Sequence, residues 1–177
     1  KGKAHISIVQ ATLQLFKESI EYWGDSLTHI IFCSQNCIPL YEFSFYQSFL
    51  EKCPKSMVSY IQGNKKERYY QLNNKIKKHF HINQFVKQQP NMILIKKDIQ
   101  KLIEADFTIY FKNMECPDEH YFINILLYIL KSELLKTQTH FCNFDLKKTQ
   151  ALEFKNINAK LIQQIKNMGF LFLRKVY

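Results

Sequence analysis

The chain has 177 residues, 46% of them hydrophobic and 15% aromatic, with only 4 Gly and 4 Pro. That is enough for a single domain, residues 1–177, with a substantial core, and no repeat or low-complexity linker divides it. Its longest apolar run, Tyr121 to Leu130, covers about half of a hydrocarbon core, which excludes a transmembrane helix in this segment. The formal charge of +10 suits nucleic acid, acidic membranes or phosphorylated ligands. Yet only two of the 25 basic residues are Arg, Arg68 and Arg174, where Arg dominates base-edge recognition. Nucleic acid is therefore not the expected partner.

In chain order, Ile6, Val9, Leu13, Phe16, Ile20 and Trp23 recur at helical spacing, with Gly24 as the stop. The run "THIIFCS", 28–34, predicts a short buried strand. A loop, "QNCIPLYEF", follows, and then a short helix over 43–53 that ends before Pro54. Residues 56–62 predict a second strand, and the basic, polar stretch 63–89 a long excursion. A third strand is expected at 91–95, a helix starting near Asp98, and a helix over 118–135 behind Pro117. Residues 139–144 predict a strand, 157–169 a helix closed by Gly169, and 170–176 a last strand. Strands alternating with helices imply an α/β layered domain. In such sheets ligands sit outside the carboxyl ends of strands. Ser34 to Pro39, the segment after Ile95 and the residues after Phe144 are then the candidate site loops. The chain opens at Lys1 on what reads as the run-up to a helix, without an initiator Met, as expected of a piece of a longer protein.

Five cysteines, at 33, 37, 53, 116 and 142, give no zinc-finger pattern. Cys33-x3-Cys37 straddles a strand end, so buried thiols or one or two disulfides are expected rather than a metal pair. His79 and His81 form an HxH pair with no acidic or Cys partner at ligand spacing, and read as solvated. No Gly-rich nucleotide loop, GxSxG or HExxH occurs. Asp-x-Asp is also missing, so phosphate handling is expected to be metal-independent, unless that motif lies upstream.

Asp118 and Glu119 are adjacent acids behind Pro117, and a helix start that complements the macrodipole would account for them. The blocks "ISIVQATLQLF", "IIFCSQNCIPLYEF", "MVSYIQ", "CPDEHYFINIL" and "FLFLRKV", in that order, resemble the core-2/I-branching β-1,6-N-acetylglucosaminyltransferase family, which includes the peptide xylosyltransferases. The resemblance implies a GT-A-like nucleotide-sugar transferase fold, here lacking its N-terminal first strand or strands. It implies inverting transfer of a sugar, GlcNAc being the commonest donor unit, from a UDP-sugar to a hydroxyl on a glycan or glycoprotein. No cofactor and no divalent metal are expected. A Golgi membrane location, lumenal side, is implied, with an anchor upstream of Lys1.

By the same resemblance Glu119 is the base that takes the acceptor proton, with Asp118 structural, capping the helix. Lys175 contacts the donor diphosphate, Arg174 assists, and Lys136 is a candidate for a second phosphate contact, since Thr137 stands where the family has a basic residue. Ser34, Gln35 and Asn36 face the sugar. The family's Val-Asp/Asn-Trp-Ser becomes Cys142-Asn143-Phe144-Asp145, which keeps Asn143 as a substrate contact and loses the tryptophan. The following His-Pro becomes Gln150-Ala151, and Lys96 replaces an Arg. Two other readings stay open at this point. One is a non-catalytic basic module binding anionic polysaccharide or nucleic acid; the other is an inactive copy of the family.

Overall fold

The computed structural model describes residues 5–62, 78, 85–143 and 152–176. Helix α1, Ile6–Trp23, matches its predicted bounds and ends at Gly24, whose φ of +49° suits a residue without a Cβ. Ile6, Val9, Thr12 and Phe16 are its buried stripe, while Trp23 stays exposed. Strand β1, His29–Phe32, is followed by β2, Cys37–Pro39, and helix α2, Phe43–Glu51. Strand β3, Ser56–Gln62, coincides with the expected strand.

The excursion expected over 63–89 needs correcting at its end. Strand β4 runs from Val86 to Ile95, five residues longer than the predicted 91–95. Its first half carries Lys87, Gln88, Gln89 and Pro90, a poor strand composition. Two things accommodate it. Between the pairs Val58↔Met92 and Tyr60↔Gln88 the register shifts, and Pro90 falls within that irregularity, where the ladder can spare a donor. Gln88, buried, turns its Oε1 to accept the Ile123 amide at 2.9 Å.

Helix α3, Lys96–Glu104, starts two residues before Asp98 and is followed by the short α4, Thr108–Phe111. The helix expected over 118–135 is broken into three pieces. Pro117–Glu119 forms a 3-10 turn, Tyr121–Asn124 is α5, and Ile125–Ile129 continues as a π turn. The segment is buried through Leu126 and carries two buried polar residues, His120 and Asn124, both turned to the backbone of β4. Beyond it an unpredicted strand β5, Leu134–Lys136, joins the sheet. Strand β6, His140–Cys142, helix α6, Ala159–Asn167, and strand β7, Phe172–Arg174, complete the described chain. Asn158 caps α6 by accepting the Leu161 amide at 2.9 Å, and Gly169 ends it at φ +84°.

Two sheets result. The first has the order β1-β4-β3-β5, the second β2-β7-β6. In the first, β1 and β3 both run antiparallel to β4, and β5 runs parallel to β3. The C-terminal ends of β1, β3 and β5 and the N-terminal end of β4 therefore point in the same direction. In the second sheet Cys37, Arg174 and Cys142 lie in register, as do Pro39, Phe172 and His140. Side chains directly opposite one another share a face. Ile38, Leu173 and Phe141 point the other way, into a cluster with Ile165 of α6.

The main core packs α1, α3 and the 117–130 segment against the first sheet, with Phe16, Phe122 and Tyr121 at its centre. Burying each such side chain contributes about 1.5–3 kcal/mol. A second cluster joins Met57 and Ile93 of the first sheet to Phe172 of the second and Tyr46 of α2. Among the described residues no helix is long and apolar enough to cross a membrane.

Candidate active site

Glu119 ends the 3-10 turn, with its amide bonded to the Cys116 carbonyl at 3.1 Å. Cys116 bends the chain into that turn at φ +53°. The Glu119 carboxylate is about two-thirds buried and meets the Lys87 ammonium at 2.9 Å. Lys87 is the second residue of strand β4, in the stretch read as loop from the sequence, so this partner was missed.

The segment bearing Glu119 is fastened to β4 by buried side chains. Asn124 accepts the Val86 amide at 3.0 Å and donates to the Val86 carbonyl at 2.8 Å and the His120 carbonyl at 2.6 Å. The His120 ring lies with Nδ1 3.1 Å from the same Val86 carbonyl and packs on Phe85. These contacts fix Glu119 relative to the starting edge of β4.

Asp118 stands inside the 3-10 turn, whose N-cap position is Cys116, and its carboxylate is met by the backbone N–H groups of Asp118 and Glu119. One of its carboxylate oxygens is buried without a hydrogen-bond partner among the described residues. Burial pushes its pKa above the usual carboxylate range, aided by the neighbouring Glu119 charge, while backbone N–H groups and Lys87 pull the other way.

The second group of candidates gathers around the loop between β1 and β2. Ser34 takes the amide of Cys37 on its carbonyl at 3.0 Å, closing a turn. Its hydroxyl lies 3.2 Å from the Cys37 sulfur. Asn36 bonds twice to Val176: its carbonyl accepts the Val176 amide at 3.0 Å and its side-chain amide donates to the Val176 carbonyl at 3.3 Å. This loop is thereby tied to the strand end that carries Arg174 and Lys175. Lys175 lies 3.5 Å from Glu153. Arg174 sits between Cys37 and Cys142 in the second sheet, and its Nε is buried with no acceptor among the described residues. Gln35 is exposed in the same loop. Asn143 follows β6, accepting the Leu152 amide on its backbone carbonyl at 2.7 Å, with an exposed side chain.

Lys136 does not join this group. It ends β5 in the first sheet and lies over the Tyr60 ring, 4.8 Å from its centroid. Phe144, Asp145, Gln150, Ala151, His79 and His81 lie outside the described residues. Tyr121 and Phe122 are core. The two groups leave the first sheet in the same direction: Glu119 lies beside the start of β4, and the Ser34–Asn36 loop follows β1, which ends opposite Met92.

The same loop brings Cys33, Cys37 and His140 together, their ligand atoms all within 4.8 Å of one another. Hydrogen bonding from Cys33 pulls the Cys37 thiol down to about 4, with His140 and Ser34 adding to the effect, while Cys33 is pushed up correspondingly. None of the five cysteines forms a disulfide. Residue separation concealed this cluster, since Cys33 and His140 are 107 positions apart. A cleft of about 530 Å³, between Thr28, Ile31, Phe43, Tyr46, Leu50 and Phe172, is lined mostly by apolar side chains, with Gln47 and Glu51 among them, and touches the candidate loops only through Pro39.

A search of curated proteins finds no match. The family model described as "Branch: Core-2/I-Branching enzyme" matches residues 2–167. That stretch contains Glu119, Lys136, Asn143 and the Ser34–Asn36 loop, and ends before Arg174 and Lys175. The match spans well over half of the chain: the protein belongs to the Core-2/I-Branching enzyme family of glycosyltransferases.

Proposed function

We propose that this chain transfers a sugar, GlcNAc in the first instance, from a UDP-sugar to a hydroxyl of a glycan or glycoprotein with inversion at the anomeric carbon. The observation that carries this reading is the Glu119 carboxylate, held by Lys87 at 2.9 Å on the side of the first sheet toward which the Ser34–Asn36 loop also extends. Lys87 engages Oε2 of the carboxylate. In the reaction Oε1 takes the proton of the acceptor hydroxyl as that oxygen attacks the anomeric carbon. The bond from the anomeric carbon to the diphosphate breaks, and UDP leaves with the electron pair.

Negative charge grows on the diphosphate as it departs, and it needs cationic donors near it. Arg174 supports that role best, because its buried Nε–H lacks an acceptor that a phosphate oxygen would supply. Lys175 adds charge next to it, shared with Glu153. No divalent ion is assigned to the diphosphate, in keeping with the absence of Asp-x-Asp. A Golgi lumenal setting, through an anchor upstream of Lys1, fits the same reading. So does a GT-A-like arrangement completed by upstream strands.

A basic module that only binds polyanions fits less well. Among the described residues Lys17, Lys55, Lys87, Lys96 and Lys175 each face a carboxylate, so positive charge is interleaved with negative rather than laid out as a stripe. The test is UDP release from a panel of UDP-sugars in EDTA, with an acceptor glycan present. Glu119→Gln should lower turnover by about 10²–10⁴-fold while UDP binding persists. Turnover that survives this substitution would remove Glu119 from the mechanism. UDP binding with no turnover in the wild type, over a broad acceptor panel, would identify an inactive copy.

A further inference from the structure

We propose that Cys33, Cys37 and His140 form a binding site for a thiophilic metal ion of the zinc type. The two sulfurs and the imidazole nitrogen all lie within 4.8 Å of one another. Zn–S bonds of about 2.3 Å and Zn–N bonds of about 2.0–2.1 Å set the ligand-to-ligand edges of a tetrahedron at roughly 3.4–3.8 Å. Small side-chain rotations bring the three atoms to that spacing. Cys33 Sγ and His140 Nε2 are already 3.2 Å apart.

The ligands come from three places that the fold brings together. Cys33 follows β1 of the first sheet, Cys37 opens β2, and His140 opens β6 of the second. The turn closed by the Cys37 amide on the Ser34 carbonyl folds Cys37 back toward Cys33. A bound ion would staple the two sheets at the loop that carries Ser34, Gln35 and Asn36.

His140 has the setting of a metal ligand. It is 1% exposed, and its ring stacks on Phe172 with centroids 4.5 Å apart and planes 14° from parallel. Nε2 faces the sulfurs, and Nδ1 is held 2.8 Å from the Thr139 hydroxyl. A ligating imidazole characteristically has its other nitrogen fixed by such a partner, which sets its tautomer and orientation. Cys33 is exposed, so the fourth position is open to water.

The donor set decides the class of ion. Two thiolates and an imidazole suit zinc and other soft or borderline ions, whereas Mg²⁺, Ca²⁺ and Mn²⁺ prefer oxygen. Two thiolates also neutralise a divalent charge, so the loaded cluster adds no net charge next to Arg174. This site is therefore distinct in kind from an ion bridging a diphosphate, and it does not rest on the transferase reading.

The test starts with the zinc content of the purified chain, followed by titration of the reduced, chelator-stripped chain with Co²⁺. Expected are an intense thiolate-to-cobalt charge-transfer band and the visible bands of tetrahedral cobalt, saturating at one equivalent and bleached by Zn²⁺. Cys33→Ser, at an exposed position, should lose much of the charge-transfer intensity, and His140→Ala the tetrahedral signature. Thr139→Val should keep the spectrum and weaken zinc binding by about 10–100-fold. The proposal is overturned by a wild type that shows no charge-transfer band. It is equally overturned by a spectrum indifferent to Cys33→Ser and His140→Ala, or by a zinc-free chain whose Cys33 and Cys37 resist alkylation until reduced, which identifies a disulfide. If transferase activity fails in EDTA and one equivalent of Zn²⁺, but not excess Mg²⁺, restores it, the loss belongs to this site and not to the diphosphate.

Discussion

The Lys87 ammonium and the Glu119 carboxylate meet at 2.9 Å between the start of strand β4 and the 3-10 turn behind Cys116. Each is about two-thirds buried, so the pair is shielded enough to fix geometry but too exposed for a large stability term. In the proposed mechanism Lys87 acts through Glu119, as a positioning residue. Lys87→Met should leave the unfolding free energy within about 1 kcal/mol of wild type. It should lower kcat by up to about 10²-fold, with donor KM nearly unchanged, because the base loses its orientation rather than the substrate its contacts. Lys87→Arg should recover part of the loss. A kcat equal to wild type in the Met variant would show that Glu119 needs no such support.

Asn124 makes the tie that sets where that turn sits. It is fully buried and serves both the amide and the carbonyl of Val86. Asn124→Leu removes these bonds and leaves the buried Val86 amide without its acceptor, at a cost of about 1–3 kcal/mol, while His120 Nδ1 still reaches the Val86 carbonyl at 3.1 Å. The expected loss is therefore about 1–3 kcal/mol in urea unfolding, more than for Lys87→Met. A loss below about 1 kcal/mol would mean that water replaces the side chain and that β4 does not depend on it.

How far these relationships were legible depends on what carried them. Apolar spacing located α1 and β3 to the residue, because Ile6, Val9 and Phe16 bury on one face and Ser56–Val58 lie inside the first sheet. The start of β4 was hidden, since Lys87 and Gln88 look like loop residues until Glu119 and the Ile123 amide are there to receive them. The 121–130 run is apolar except for Asn124, and neither its π turn nor the strand β5 after it could be read from it. Glu119 is singled out by its motif as the proposed base. The Cys33–His140 contact could not be, because antiparallel and parallel pairing across two sheets, and not spacing, bring it about.

Asp98 shows a buried carboxylate used for construction. It accepts from Ser56 Oγ at 2.6 Å and Ser132 Oγ at 2.7 Å, and Ser56 Oγ in turn accepts the Ile95 amide at 3.0 Å. The network joins β3, β4, α3 and the segment leading to β5. Ser56→Ala deletes a hydrogen bond to a charged group and exposes an amide without an acceptor, so it should cost about 1.5–3 kcal/mol. Ser132→Ala, less buried, should cost less. Equal and negligible effects in a denaturant series would place the network's weight elsewhere.

Asp118 yields a pH dependence with a definite sign. Burial raises its pKa in the folded chain above the ordinary value of about 4, so the folded state binds the proton more tightly than the unfolded state. Stability from this group is then present below about pH 4 and is lost as pH rises through the folded pKa. At neutral pH the charged side chain carries a penalty that a neutral amide avoids. Asp118→Asn keeps an oxygen for the backbone N–H groups and should stabilise the chain at pH 7, by no more than about 1 kcal/mol once solvent screening is allowed for. The gain should shrink to nothing near pH 4, and Glu119 should keep its activity in the variant. Unfolding free energies measured from pH 4 to pH 7 decide it: a difference between variant and wild type that stays flat, or grows toward acid, contradicts a buried carboxylate that resists ionisation.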